Sequence, residues 1–147
     1  MNRFETFAGL ITDLNRCLQK LKDEEMGRFG LKAKHTMCLY YLGQNPDGLT
    51  ATRLTELCSE DKAAISRTLK QLLEKGLIVC DLPENKRSYS TLYHLTDEGT
   101  KLVDAMNKRI SSALNYGGSG LTDEERLCMY NCLETIKTNL TEHLERE

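Results

Sequence analysis

The amino-acid sequence predicts a mostly α-helical protein with one small β-hairpin. Three observations indicate this fold class. Apolar residues recur at helical spacing toward both ends of the chain, two short helical segments lie close together near its middle, and two strand-like runs flank a charged loop directly after them. At 147 residues, the chain fits a single domain and is long enough to bury an apolar core.

The composition places the chain among charge-rich globular proteins. Hydrophobic residues make up 39% of the sequence and charged residues 29%, with a formal net charge of -2. This balance indicates neither disorder nor indiscriminate binding to nucleic acid. Glu5, Thr6 and Asp13 interrupt the apolar run that a signal peptide needs, and no apolar stretch approaches the ~20 residues that cross a bilayer. We therefore expect a cytoplasmic protein.

Apolar seams at the two ends of the chain predict dimerisation. The first seam consists of Phe4, Phe7, Ile11, Leu14, Leu18 and Leu21, and the second consists of Leu133, Ile136, Leu140 and Leu144. Both seams are too broad to be covered by a small central core, so the expected partner is a second copy of the chain. The alternative is that the two seams pack on each other within one chain.

Capping patterns predict where the two C-terminal helices begin. Residues 96–98 read Thr-Asp-Glu and start a helix whose apolar stripe consists of Leu102, Met106, Ile110 and Leu114. The glycine-rich run at 115–120 is expected to break it. Thr122 and Glu125 then form a capping box, which begins the last helix.

The middle of the chain predicts three helices followed by a hairpin. The helices are expected at about Ala33–Leu42, at Thr50–Leu57 with Thr50 as N-cap, and at about Asp61–Lys75, where Gly76 ends the third. The strands are expected at Leu77–Leu82 and from Ser90 or Thr91 to Leu95, on either side of a charged loop at 83–89. The second and third helices have the layout of a helix-turn-helix, and the hairpin behind them has the layout of a wing.

One face of the helix at 61–75 carries the residue types that groove recognition requires. At about 100° per residue, Ile65, Leu69 and Leu72 share a buried side, whereas Arg67 and Lys70 lie opposite. Arginine donates two parallel hydrogen bonds to a guanine edge, lysine and serine suit phosphate oxygens, and small side chains permit close approach. The predicted DNA-binding residues are Lys62, Ala63, Ser66, Arg67, Lys70, Lys86 and Arg87. The alternative is a solvated helix face beside a charged surface hairpin.

The succession of these motifs resembles the multiple antibiotic resistance regulator (MarR) family. The resemblance is carried by Asp61-Lys62-x-x-Ile65-Ser66-Arg67, Leu73-Glu74-Lys75-Gly76-Leu77-Ile78, Arg87 and Leu95-Thr96-x-x-Gly99, and by the helix layout at both ends. It implies a single domain over 1–147, with a winged helix-turn-helix DNA-binding part at about 31–97 and dimerisation helices at about 1–26 and 98–147. At the wing, Asn85-Lys86-Arg87 stands where the family pattern has an aspartate before two arginines.

The resemblance also implies a function and a means of control. Members of the family bind inverted-repeat DNA as homodimers, with residues matching Ser66 and Arg67 in the major groove and a residue matching Arg87 at the wing tip. They repress transcription until a small apolar ligand, thiol oxidation or a metal releases them. We therefore expect a dimeric repressor of this kind, with a small-molecule effector or an oxidant as its signal; whether the chain represses or activates stays open.

The candidate sensing residues are weighed against ordinary packing. A ligand pocket is predicted at Met37, Tyr40, Tyr41 and Met106, with core packing as the alternative. Cys17 is the candidate redox residue, and Cys128 and Cys132 share one helix face. The six cysteines form no C-x-x-C pair, so we expect most of them to be small buried hydrophobes. The three histidines are scattered, and neither a metal site nor a cofactor is predicted.

Two other functions are considered. Without a Gly-rich phosphate loop, a nucleophile elbow or converging paired carboxylates, the sequence does not predict an enzyme. A winged-helix module that binds an acidic protein partner through the same basic residues is the remaining alternative.

Overall fold

The computed structural model describes residues 2–81 and 91–146, which are mostly helical with one two-stranded antiparallel hairpin. The elements are α1 (Arg3–Gly27), a 3-10 helix (Ala33–His35), α2 (Thr36–Gln44), α3 (Ala51–Cys58), α4 (Lys62–Glu74), β1 (Ile78–Asp81), β2 (Leu92–Leu95), α5 (Asp97–Gly117) and α6 (Asp123–Glu145). The predicted fold class is confirmed. The chain divides into two compact units, residues 1–110 and 111–147, and the boundary falls within α5.

Local capping chemistry sets the helix ends, as the sequence predicted. The Thr50 hydroxyl accepts the backbone N–H of Arg53 at 3.1 Å at the start of α3. Thr122 and Glu125 form the reciprocal capping box, with hydrogen bonds of 3.1 and 2.9 Å. Several bounds differ from the prediction: the first turn expected of α2 is a 3-10 helix, α2 continues to Gln44, β2 begins at Leu92, and α5 continues to Gly117, into the run expected to break it.

The apolar core of the unit at 1–110 lies between α2, α3, α4, the hairpin and the first turns of α5. Its fully buried members are Met26, Cys38, Leu39, Leu42, Leu54, Leu72, Ile78 and Met106. At one edge of this core the half-exposed Arg109 guanidinium pairs with the buried carboxylate of Glu25, and Arg28 reaches the same carboxylate at 3.4 Å. The end of α1 is therefore held against α5 by apolar packing and by ion pairs.

The base of the hairpin is fixed by pairing on both sides. Ile78 pairs with Leu95 and Asp81 with Leu92, and Tyr93 also exchanges backbone hydrogen bonds of 3.1 and 2.9 Å with Leu49. Leu49, which lies just before α3, thus forms an isolated β-bridge with β2. This bridge holds the hairpin beside the helix-turn-helix segment.

The seams predicted on the terminal helices are uncovered. In α1, only Glu25 and Met26 are buried, and Phe4 is 80% exposed. Within the unit at 111–147, no residue of α6 is buried, and Leu133, Ile136, Leu140 and Leu144 are all exposed. Among the described helices, none has both the length and the apolar character needed to cross a membrane.

Candidate nucleic-acid interface

A short turn joins α3 to α4 and sets the direction of α4. Ser59 follows α3 in the left-handed region, with φ 53° and ψ 40°, which reverses the chain in few residues. Two residues later, the Asp61 carboxylate accepts the backbone N–H of Ala64 at 2.7 Å and caps α4. The predicted helix-turn-helix is therefore present, with the second helix beginning one residue after its cap.

The α4 helix separates an apolar side from a basic side. Ile65, Thr68, Leu69 and Leu72 are buried, and this side docks on the core. The predicted contact residues Lys62, Ala63, Ser66, Arg67 and Lys70 are all exposed. We call these five residues the α4 strip. Since α4 is fixed from behind by its buried leucines, the strip is presented on a rigid element.

The charges of the α4 strip are available to an anion. Among the described residues, no carboxylate forms an ion pair with Lys62, Arg67 or Lys70. The exposed Glu60 and Asp61 precede the strip and lower the positive potential at the start of α4. Cations of the strip therefore dominate from the second turn of the helix onward.

The wing is described only at its base. His94 Nε2 lies 2.8 Å from Asp81 Oδ2, and His94 Nδ1 lies 3.3 Å from the Pro46 carbonyl oxygen. One imidazole therefore ties both strands to the loop before α3. Lys86 and Arg87, the predicted wing contacts, lie outside the described residues.

Comparison with known proteins shows a similarity to one family of regulators. A model of the MarR family matches residues 29–88, the segment that holds the helix-turn-helix and the first half of the hairpin. The chain is 28% identical over 95 residues to YdgJ of Bacillus subtilis strain 168, an uncharacterised HTH-type transcriptional regulator. That match spans 64% of this chain and 57% of the length of YdgJ.

The helix-turn-helix segment of the chain is therefore similar to the MarR family. Solved structures share its fold over nearly the whole length. A MarR transcriptional regulator from Methanosarcina mazei Go1 has a TM-score of 0.80 at 24% identity, covering 94% of this chain and 98% of that one. MepR of Staphylococcus aureus, solved in complex with DNA, has a TM-score of 0.83 at 23% identity, covering 95% and 99%.

The residues predicted to line a ligand pocket lie in different environments. Met106 is fully buried in the core, and Tyr40 and Tyr41 pack edge to face with ring centroids 5.4 Å apart. Met37 lines a cavity of about 380 Å³. For Met106 this placement favours the alternative of core packing.

A second cavity lies directly under the α4 strip. Its volume is about 350 Å³, and its lining includes Lys62, Ser66 and Lys70 from the strip together with Tyr93 from β2. No local pattern in the sequence predicts this cavity, because its shape depends on how β2 packs against α3 and α4. Apolar and cationic groups thus meet at a concave surface beside the predicted DNA contacts.

The expectation that most cysteines are buried is wrong. Cys38 is buried and Cys58 is partly buried, whereas Cys17, Cys80, Cys128 and Cys132 are exposed. Three of the exposed cysteines lie on α1 and α6, whose apolar faces are uncovered, so their apolar surroundings in the sequence did not translate into burial. The predicted redox candidate, Cys17, is therefore accessible.

Sequence reasoning missed a contact between two thiols. The sulfur atoms of Cys38 and Cys58 lie 3.8 Å apart, although twenty positions separate them in the chain. No spacing rule could have found this pair, since the residues belong to two helices whose crossing is set by the core. Within the described parts of the chain, no group of three or more His, Cys, Asp or Glu side chains is arranged to hold a metal ion.

Proposed function

We propose that this protein is a homodimeric transcriptional regulator of the MarR family that binds double-stranded DNA at an inverted repeat. In this proposal it acts as a repressor, and a small ligand or an oxidant releases it. The observation that carries the proposal is the α4 strip, whose cations and small residues are exposed on a helix held rigidly from behind. Its fold is also that of MepR, a protein solved in complex with DNA.

The α4 strip has the size and chemistry of a major-groove reader. A helix fits the major groove of B-DNA, where arginine pairs bidentately with guanine O6 and N7. Arg67 lies in the second turn, one position after Ser66, and is the proposed base reader. Lys62, Ser66 and Lys70 flank it and serve phosphate oxygens, whereas Ala63 leaves room for the backbone of the DNA.

The hairpin supplies a second, weaker contact. Its base is anchored by pairing with Leu49 and by the imidazole of His94, and the loop between β1 and β2 follows this base in the sequence. Lys86 and Arg87 belong to this loop and are proposed to contact the minor groove or the phosphates next to it.

Dimerisation is proposed to rest on the exposed seams of α1 and α6. Each seam is an apolar stripe of helical spacing that its own unit leaves uncovered, and exposed stripes of this kind mark association surfaces. A two-fold dimer would present two α4 strips to successive major grooves, about one helical turn of DNA apart or a multiple of it. An inverted repeat follows from that symmetry.

The cavity beneath the α4 strip offers a route for release by a ligand. A small apolar anion bound there would contact Tyr93 and the ammonium groups of Lys62 and Lys70. These ammonium groups would then be engaged by the ligand rather than by phosphate. Ligand and DNA would therefore compete for the same cations.

The test is selection from a random duplex pool, followed by measurement of affinity against salt for the enriched sequence. We expect an inverted repeat and a steep fall of affinity with salt. Arg67→Ala should cost about 1–3 kcal/mol and relax the preference at one position of each half-site, whereas Lys70→Ala should weaken all sequences and reduce the salt slope by about one. Arg87→Ala should weaken binding with a smaller effect on sequence preference.

Lys101→Ala is the matched control, because it removes one exposed positive charge from α5, outside the strip. It should leave the enriched sequence and its affinity nearly unchanged. A pool with no enriched sequence and a flat salt response would contradict the proposal. That result would favour an acidic protein as the partner of the α4 strip.

A further inference from the structure

Two cysteines from different helices meet at the edge of the core. Cys38 on α2 is 1% exposed, and Cys58, the last residue of α3, is only partly covered. Their sulfur atoms lie 3.8 Å apart, within hydrogen-bonding range for thiols. Helix packing brings them together, because α2 and α3 both bury apolar residues in the same core.

The environment makes the two thiols unlike. A hydrogen bond with Cys38 lowers the pKa of Cys58, although partial burial and the charge of Glu60 oppose this effect. The same hydrogen bond and burial raise the pKa of Cys38 well above its usual value. Of the two thiols, Cys58 is therefore the one that ionises more readily, and the thiolate is the nucleophilic form.

A path for small molecules reaches the pair. Both thiols line the cavity of about 380 Å³ to which Met37 also contributes. The cationic side chains of Lys22, Lys34 and Arg67 line the same cavity, and positive charge favours a thiolate. The cavity is large enough for a hydroperoxide to reach the sulfur of Cys58.

We propose that Cys38 and Cys58 form a thiol-disulfide pair that hydroperoxides oxidise. The Cys58 thiolate attacks the terminal oxygen of the peroxide, the O–O bond breaks, and the departing alkoxide or hydroxide takes up a proton. Cys58 is then a sulfenic acid. Cys38 attacks its sulfur, an S–S bond forms, and water leaves with the thiol proton of Cys38. Overall, two thiols are oxidised and one peroxide is reduced to water and an alcohol, or to two waters.

Closing the disulfide would move the turn that aims α4. The sulfurs must approach from 3.8 Å to about 2.05 Å. Cys58 immediately precedes Ser59, the left-handed residue of the turn, and Asp61, the cap of α4. We therefore expect oxidation to displace the start of the α4 strip. This consequence, unlike the disulfide itself, rests on the proposed DNA-binding function.

The chain contains a second thiol pair for comparison. Cys128 and Cys132 lie four residues apart on α6, with sulfur atoms 4.0 Å apart, and both are exposed. This pair matches the first in sulfur separation but has no hydrophobic enclosure. Comparing the two pairs therefore shows whether oxidation depends on the surroundings of the thiols or only on the distance between their sulfur atoms.

Peptide mapping of the full-length reduced protein tests the proposal. The protein is treated with about one equivalent of hydrogen peroxide, alkylated, and digested with trypsin without reduction. Cleavage at Lys34, Arg53 and Lys62 places Cys38 on peptide 35–53 and Cys58 on the adjacent peptide 54–62. We expect these two peptides to be joined and to separate on reduction. Recovery of both as alkylated thiols, while Cys17 or the α6 pair is oxidised, would overturn the proposal.

Variants locate the reaction. Cys58→Ser should abolish the linked peptides, whereas Cys128→Ser, the matched control, should leave them unchanged. In Cys38→Ala, a dimedone adduct should accumulate on Cys58, since the sulfenic acid has no neighbour to resolve it. If Cys38→Ala does not fold, the wild-type protein treated with dimedone during peroxide addition reports the same intermediate. A Cys58→Ser protein that still links peptide 35–53 to another cysteine at the wild-type rate would contradict the assignment.

The effect on DNA binding is measured separately, on protein in which the disulfide between Cys38 and Cys58 has formed completely. We expect its affinity for the enriched duplex to change by about 5- to 150-fold, the usual range of coupling between two sites, and to recover on reduction. Because the disulfide is detected by mass, a protein that binds no DNA would still reveal whether the pair forms. Unchanged affinity in a fully linked, DNA-binding protein would refute the coupling to α4.

Discussion

The helices α4 and α6 have similar apolar stripes but very different surroundings. The α4 stripe is buried, with Leu72 fully inaccessible and Ile65 and Leu69 only 2% exposed. No residue of α6 is buried, and Leu140 is 51% exposed. The same apolar periodicity therefore leads to a stripe that the chain itself buries in α4 and to a stripe that stays exposed in α6.

This difference separates two sources of stability. A helix such as α4 gains its free energy of folding from contacts that the chain supplies itself, so its stability does not depend on protein concentration. A helix such as α6 gains little from intrachain burial, and most helical stability in proteins comes from tertiary packing of an apolar face. Its stability should depend on what covers the seam, and hence on mass action if the cover is a second copy.

The strongest test of this comparison is a charge placed in the α6 seam. Leu140→Glu would remove the remaining apolar burial of two symmetric leucines, worth about 1 kcal/mol per copy, and would bury a carboxylate at a cost of several kcal/mol per copy. The proposed dimer should lose at least about 4 kcal/mol, which raises its dissociation constant by about 10³-fold. Sedimentation across protein concentrations measures the change.

Thr138→Glu is the matched control for that substitution. It adds the same charge to the same helix about 200° away from Leu140, on the opposite side. It should leave the association unchanged. A wild-type chain that is monomeric at all concentrations would contradict this prediction, because no second copy would then cover the seams.

A smaller effect on stability is expected from a substitution in the first turn of α5, which packs on the core. A Cβ added at Gly99 would lie 2.1 Å from the Leu77 carbonyl oxygen, and this oxygen accepts the backbone N–H of Thr96 at 3.0 Å. Gly99→Ala must displace backbone, so we expect a loss of about 1–3 kcal/mol in the free energy of unfolding. Urea denaturation at constant protein concentration measures it.

The far end of the same helix should respond in the opposite direction. Gly117 has no neighbour within 4 Å of an added Cβ, and alanine is a better helix former than glycine by about 0.5–1 kcal/mol. Gly117→Ala should therefore be neutral or mildly stabilising. Equal losses in the two variants would mean that α5 is not packed more tightly at its start than at its end.

Local features of the fold were predictable because they depend on neighbouring residues. The Thr50 cap, the Thr122 and Glu125 capping box and the glycine after α4 were all read from the sequence and are present. Gly99 was noticed as part of a family motif, and the structure adds its physical reason, namely the close approach of the Leu77 carbonyl. The unexpected 3-10 turn at Ala33–His35 depends on a distant partner, since His35 contacts Gln71 of α4.

The candidate site was predictable in part. The exposure of Arg67 and Lys70 follows from helical periodicity once the buried side is known, so the sequence could place them on one face. The burial of cysteines could not be predicted in the same way, because an apolar stripe does not reveal whether its own chain covers it. The contact of Cys38 with Cys58 and the cavity near Tyr93 depend on how three elements cross, which no local pattern encodes.

The smallest expected effect is the loss of folding stability at low pH that comes from the buried imidazole of His35. His35 is 3% exposed, its Nδ1 accepts the Lys32 backbone N–H at 3.0 Å, and its Nε2–H donates to Gln71 Oε1 at 2.9 Å. The neutral ring thus satisfies both partners. Burial lowers the pKa of His35 below 6.5, and the charges of Lys34 and Lys75 act in the same direction.

A lowered pKa means that the unfolded chain takes up a proton first as the pH falls. The contribution of neutral His35 is therefore fully present above about pH 6.5 and is lost as the pH drops toward the folded-state value. Urea denaturation from pH 7.5 to 5 should show stability falling with acid in the wild type, and falling less steeply in His35→Gln. Parallel pH profiles for the two proteins would show that acid acts elsewhere, because a glutamine at this position cannot be protonated in that range.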